Sequence, residues 1–194
     1  MCGCFDCPVS GAWVMGLAAV ALGSNLESRF GDRRTNLLEA VRRVGELGEV
    51  RVVSSFYDTE PVGIVAQGRF LNGALLLETE LEPLELMHGL LTVERAMGRQ
   101  RDGVALKGPR VIDLDLLLYI KDGINKDRLD QNGGRVVMST DELTLPHPEM
   151  QERRFVLEPL VKIAPGMVHP VLRLTVAEML EGVNADHGSR DKNG

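Results

Sequence analysis

The sequence predicts an α+β fold, a mainly antiparallel central sheet with helices packed on it. Three observations point there. Strand-like and helix-like segments alternate irregularly, without the even βαβ rhythm of a parallel sheet. The strand-like runs 49–57 and 70–81 follow each other with only a loop between, which suits antiparallel pairing. Neither G-x-G-x-x-G nor a Walker A sequence is present, so the usual marks of a doubly wound nucleotide fold are missing.

The elements follow in order. "GLAAVAL" (16–22) is a continuous apolar run and reads as a buried first strand. A polar loop, 23–34, leads to a helix over 35–47, where Leu37, Leu38, Val41, Val44 and Leu47 recur at helical spacing and Thr35 can cap. Residues 49–57 alternate as a strand. A loop with Pro61 and two glycines (58–69) is long enough to be functional, and 70–81 is the next strand. The segment 82–98 is a helix with Pro83 early in it, and Leu84, Met87, Leu91 and Glu94 share a stripe. A loop and a strand over 110–120 come next. Residues 121–135 are polar and glycine-rich and read as an insertion. "VVM" (136–138) is a short strand, 143–165 a proline-bounded turn and one or two short helices, and 175–182 a last helix stopped by Gly182.

At 194 residues and 44% hydrophobic, the chain suits one globular domain over 15–183, with flexible ends at 1–14 and 184–194 and no room for a fused neighbour. The net charge of −6 argues against nucleic acid or an anionic membrane as partners. Residues 9–22 lack the basic start of a signal peptide and are too short to span a bilayer. The protein is expected to be cytoplasmic, with Met15 a second candidate start. Cys2, Cys4 and Cys7 lack a fourth ligand and read as reduced thiols in a leader.

The chemistry concentrates in "GPRVIDLDLLLY" (108–119). Strand alternation puts Ile112, Leu114, Leu116 and Leu118 on one face and Val111, Asp113, Asp115 and Leu117 on the other. Two acids side by side on an apolar strand either lie on a solvated edge or hold a hard divalent cation such as Mg²⁺. The preceding loop, "RQRDGVALKGPR" (99–110), carries four Lys or Arg and one Asp in an otherwise acidic protein. Either that is a solvated basic loop, or the bases take phosphate oxygens while the acids take the metal. Together they favour a nucleotide–Mg²⁺ site.

Five segments then resemble one family in the expected order: "ALGSNL" (21–26), "VSSFYDTEPVG" (53–63), "FLNGAL" (70–75), "GPRVIDLDLL" (108–117) and "LTLPHPEMQERRFVLEPL" (143–160). The chain is similar over roughly 17–182 to the 6-hydroxymethyl-7,8-dihydropterin pyrophosphokinases of folate biosynthesis. The resemblance implies a ferredoxin-like three-layer α/β/α sandwich. It implies a diphosphotransferase that moves the terminal diphosphate of ATP to the pterin hydroxymethyl group and releases AMP, working as a monomer on ATP and 6-hydroxymethyl-7,8-dihydropterin.

Residue by residue, the resemblance places two Mg²⁺ ions on Asp113 and Asp115 and makes Arg99 and Arg110 catalytic. Glu94, Arg101, Arg110, His147 and Arg153 would meet ATP. Phe70 and Phe155 would sandwich the pterin, Asn72 would bond its edge, and Thr59 and Val62 would touch it through the loop. The sequence departs from the family at Leu106 and Lys107, where a basic residue and an aromatic are common, at Pro148, where Tyr is common, and by one extra residue between Arg101 and Arg110. Two other classes use the same residues: a nucleotide-binding module without catalysis, and a Mg²⁺-dependent phosphohydrolase that needs no pterin.

Overall fold

The structure, a computed structural model, describes residues 15–61, 67–99, 108–121 and 134–190. The central strand β1 (Gly16–Ser24) is buried along almost its whole length, because both faces of the sheet are covered. That is why its sequence is an unbroken apolar run and not an alternating one. It pairs antiparallel with β4 (Phe70–Thr79) on one side and β5 (Asp113–Lys121) on the other. The outer edge of β4 takes two short strands end to end, β2 (Glu49–Val53) and β3 (Tyr57–Thr59). The order β2–β4–β1–β5, with helices after β1 and β4, is the ferredoxin-like arrangement.

Helices α1 (Arg33–Val44) and α2 (Pro83–Ala96) cover one face. Leu37, Ala40, Leu86 and Leu90 pack there on Val20, Leu22, Leu75 and Leu77. Helices α3 (Arg154–Ile163) and α4 (Val176–Arg190) cover the other face. Val156, Leu157, Leu160 and Met179 pack on Ala19, Ala74, Leu117 and Leu118. A small ribbon of β6 (Met138–Ser139) and β7 (Thr144–Leu145) lies beside β5. None of the helices described is long and apolar enough to cross a membrane.

Several local expectations need correction. The expected strand 49–57 is broken at 54–56, where Ser54 turns inward and its hydroxyl accepts from Ala74 N at 3.0 Å. The cap of α1 is Asp32, not Thr35: its carboxylate accepts from Thr35 N at 2.8 Å. On α2 the deepest stripe is Leu86, Leu90, Val93 and Met97, and the expected line of Leu84, Met87 and Leu91 is its half-buried shoulder. A bulge opposite Ala19 and Val20 shifts the register of β5, so Leu118 joins Leu117 on the α3/α4 face instead of following Leu116. Gly182 does not stop the last helix, which runs to Arg190. A glycine stop needs a left-handed φ, and among the described residues only Gly31, Gly98 and Gly134 are glycines with positive φ.

Candidate active site

The register of three strands assembles the site. Gly23 on β1 pairs with Asn72 on one side and Asp113 on the other. The next inward row is Ala74, Ala21 and Asp115. Side chains two apart share a face, so an amide and two carboxylates look out from the α3/α4 side over a floor of glycine and alanine. Phe155 and Val156, at the start of α3, close over that floor. The cleft they leave is about 20 Å³ and lies open to solvent on one side, so a larger ligand would extend out of it.

Each functional side chain is held by a specific local device. Asn72 Nδ2 donates to Thr59 Oγ1 at 2.7 Å, which fixes the amide across the β3–β4 pair. Phe70 stands opposite Thr59 in the same ladder. Arg99 owes its place to the end of α2. Gly98 has φ +96°, Gly98 N donates to Arg95 O and Arg99 N to Glu94 O, both at 3.0 Å. This Schellman closure turns the chain back on the helix and brings the Arg99 guanidinium onto Glu94 and Asp113.

Glu94 is 1% exposed. It accepts from Leu114 N at 2.8 Å as well as from Arg99, so one buried acid ties the end of α2 to the acid-bearing strand. Arg110 Nη1 donates to Asp113 Oδ2 at 2.7 Å. Both oxygens of Asp113 thus meet arginines. Arg110 is itself anchored by Asn25, whose Oδ1 accepts from Arg110 N at 2.7 Å and whose N donates to Arg110 O at 3.1 Å. Asn25 Nδ2 reaches Gln67 Oε1 at 3.1 Å.

Asp115 is less well compensated. Among the described residues its ion-pair partner is Arg153 at 3.7 Å. Burial first, and then the negative charge of Asp113, push its carboxyl up to about 6. Arg153 also pairs with Glu149 and lies 5.8 Å from the centre of the Phe155 ring. His147 is tied to the acid strand through His147 N to Leu117 O at 2.9 Å. Burial, then Arg153, lower its pKa. Glu149 N donates to His147 Nδ1 at 3.2 Å, so the neutral ring carries its proton on Nε2.

The donor set bears on a metal. Among the described residues no cluster of three or more His, Cys, Asp or Glu is preformed. Two adjacent carboxylates, one of them with its pKa raised by burial and then by its neighbour's charge, still fit Mg²⁺. That ion commonly takes one or two carboxylates and completes its shell with water and phosphate oxygens.

The structure therefore brings Glu94, Arg99, Arg110, Asp113, Asp115, His147, Arg153, Phe155, Asn72, Thr59 and Phe70 to one end of the sheet. Val62 and Arg101 lie outside the described residues. Sequence reasoning missed the anchoring by Asn25 and Glu149 and the empty floor at Gly23. "GSN" after an apolar strand was the available signal for two of these.

Comparison with known proteins agrees with this geometry. The family profile of 7,8-dihydro-6-hydroxymethylpterin-pyrophosphokinase (HPPK) matches residues 19–165. The chain is 40% identical over 149 residues to the 2-amino-4-hydroxy-6-hydroxymethyldihydropteridine pyrophosphokinase of Bacillus subtilis, covering 76% of this chain and 77% of that one. It is 36% identical over 163 residues to the protein of the same name from Aquifex aeolicus, covering 84% and 90%. Against the Schizosaccharomyces pombe "Folic acid synthesis protein fol1" it is 35% identical over 85% of its own length, but it spans only 20% of that longer protein. Among solved structures, wild-type Plasmodium falciparum HPPK-DHPS with STZ-DHP superposes with a TM-score of 0.64 at 14% identity, over 93% of this chain and 45% of that one. The last likeness is one of fold.

Proposed function

Because the chain belongs to the 7,8-dihydro-6-hydroxymethylpterin-pyrophosphokinase family, we propose that it transfers diphosphate from ATP to 6-hydroxymethyl-7,8-dihydropterin in folate biosynthesis. The hydroxymethyl oxygen bonds to the β-phosphorus, and the bond from that phosphorus to the α,β-bridging oxygen breaks. The bridging oxygen leaves with AMP, and the hydroxyl proton is released. The observation that carries this reading is the register row Asn72–Gly23–Asp113. It sets a group able to read a pterin edge on the same sheet face as the acids, across one intervening strand.

On this reading Asn72, kept in place by Thr59, bonds the amino and ring-nitrogen edge of the pterin, and Thr59 and Val62 contribute loop contacts to it. Phe70 and Phe155 stack on the two faces of the ring. Arg99, Arg101, Arg110, His147 and Arg153 take the nucleotide's phosphates and base side, and Glu94 orients Arg99 towards them. Asp113 and Asp115 would hold two Mg²⁺ ions, which would supply neutralising charge to the phosphates and favour the hydroxymethyl oxygen as nucleophile. The chain contributes mostly placement and charge, as expected for phosphoryl transfer. Arg99 and Arg110 now lie on Asp113, within reach of any anion brought to that carboxylate, and each phosphate oxygen they gain is a charge-assisted bond. Closing Phe155 over the ring would keep water from competing with the hydroxymethyl group. A single domain over 15–183, acting as a cytoplasmic monomer, completes the proposal.

The test is incubation with ATP, Mg²⁺ and the reduced hydroxymethylpterin. AMP and pterin diphosphate in equal amounts, formed only with all three, support it. Free phosphate without pterin would indicate a phosphohydrolase, and binding without turnover a nucleotide-binding module.

A further inference from the structure

We propose that Gly23 sizes the pterin slot and is a specificity-determining residue of this site. The inference rests on the pyrophosphokinase reading above. If the ring's hydrogen-bonding edge lies on Asn72 and its hydroxymethyl group lies at Asp113, its long axis runs across the sheet from β4 to β5. Neighbouring strands are about 4.8 Å apart, so the two anchors flank β1, and the residue between them is Gly23. The ring must pass directly over it.

The surroundings of Gly23 agree with that path. A Cβ built there would lie 3.1 Å from Asn72 Oδ1, 3.7 Å from Asp113 Cβ and 3.9 Å from Phe70 Cδ1. Those are the amide proposed to read the ring, the acid proposed to face its hydroxymethyl group, and one of the two stacking aromatics. A methyl group at Gly23 would therefore stand among all three. Conformation does not explain the glycine, since its φ lies outside the left-handed region. Backbone packing does not explain it either, because every neighbour named is a side chain of the site. The adjacent floor positions, Ala21 and Ala74, already carry a Cβ. Gly23 is the only place in the three-strand row where the backbone itself can be the floor, and a flat ring with two faces to cover needs that depth.

Two measurements test this. In the isotopically labelled wild-type protein, adding 6-hydroxymethylpterin with Mg²⁺ and a non-hydrolysable ATP analogue should shift the Gly23 Hα resonances, because the edge of a ring held between Phe70 and Phe155 comes to lie against them. The ATP analogue and Mg²⁺ alone should not. Calorimetric titration of Gly23→Ala should show pterin binding weakened at least tenfold and binding of the ATP analogue within twofold of wild type. The NMR measurement needs no variant, so it stands even if Gly23→Ala folds poorly. An unshifted Gly23 with pterin bound, or pterin affinity in folded Gly23→Ala within twofold of wild type, overturns the inference while leaving the pyrophosphokinase reading intact. A wild-type protein that binds no pterin at all overturns that reading, and this inference with it.

Discussion

Replacing Asp115 by Asn should make the metal-free protein more stable near neutral pH. The Asp115 carboxyl is raised from 3.8 to about 6 by burial and by Asp113. Between those two values the folded protein binds more protons at this site than the unfolded chain does. The slope of stability with pH is set by protons bound unfolded minus folded, which is negative here, so this group costs stability progressively as pH rises through that window. A shift of roughly 2 units, at about 1.4 kcal/mol each, gives a ceiling near 3 kcal/mol above pH 7. The side chain is 34% exposed, so solvent screens the repulsion, and about 1 kcal/mol is the realistic gain. For a chain of this size that is a rise of about 2–4 °C in Tm. The assay is thermal unfolding of wild type and Asp115→Asn in EDTA from pH 4 to pH 8. The gap should open between pH 4 and pH 6 and stay open above. Mg²⁺ with an ATP analogue should narrow it, because the wild-type carboxylate then has a partner. A gap that is constant over the whole range, or that closes as pH rises, would refute the argument.

Other perturbations separate the parts of the site. Asp113→Ala should lower turnover by about 10²-fold or more, the scale for losing one stabiliser of transition-state charge, with far-UV circular dichroism unchanged. Phe155→Ala should weaken pterin and spare ATP, and His147→Ala should do the reverse; calorimetric titration of each ligand reads both, and equal loss of the two ligands in either variant would contradict the assignment. Glu94→Ala leaves Leu114 N and part of the Arg99 guanidinium without a partner in a buried place, so urea unfolding should show a loss of about 3 kcal/mol.

What the sequence disclosed, and what it withheld, divides along a physical line. The acids' common face and the buried apolar run of β1 are patterns of neighbouring residues, and such patterns are written locally. The bulge in β5 is not, because "LLLY" offers any of its residues to either face and only the pairing with β1 decides which one is skipped. Asp32 and Thr35 are both good caps, and their competition is settled by where the chain enters α1. The acids, Arg110, His147, Arg153 and Asn72 were legible as matches to an ordered set of motifs. Asn25 was not, since its bonds to Arg110 cross 85 residues and exist only once the chain has folded; Glu149 has local partners in His147 and Arg153, but no motif singled it out. Gly23 was legible only as a turn-like residue after a strand; its flanking by Asn72 and Asp113 appears once the register is known.

The central claim is that one sheet face joins a pterin-reading amide to a pair of metal-binding acids. It is tested most directly by quantifying AMP and 6-hydroxymethyl-7,8-dihydropterin diphosphate after incubating the protein with ATP, Mg²⁺ and the reduced pterin. The two products should form in a one-to-one ratio, abolished by omitting pterin or Mg²⁺ and strongly reduced in Asp113→Ala. AMP-free release of inorganic phosphate, or unchanged product formation in Asp113→Ala, would contradict it.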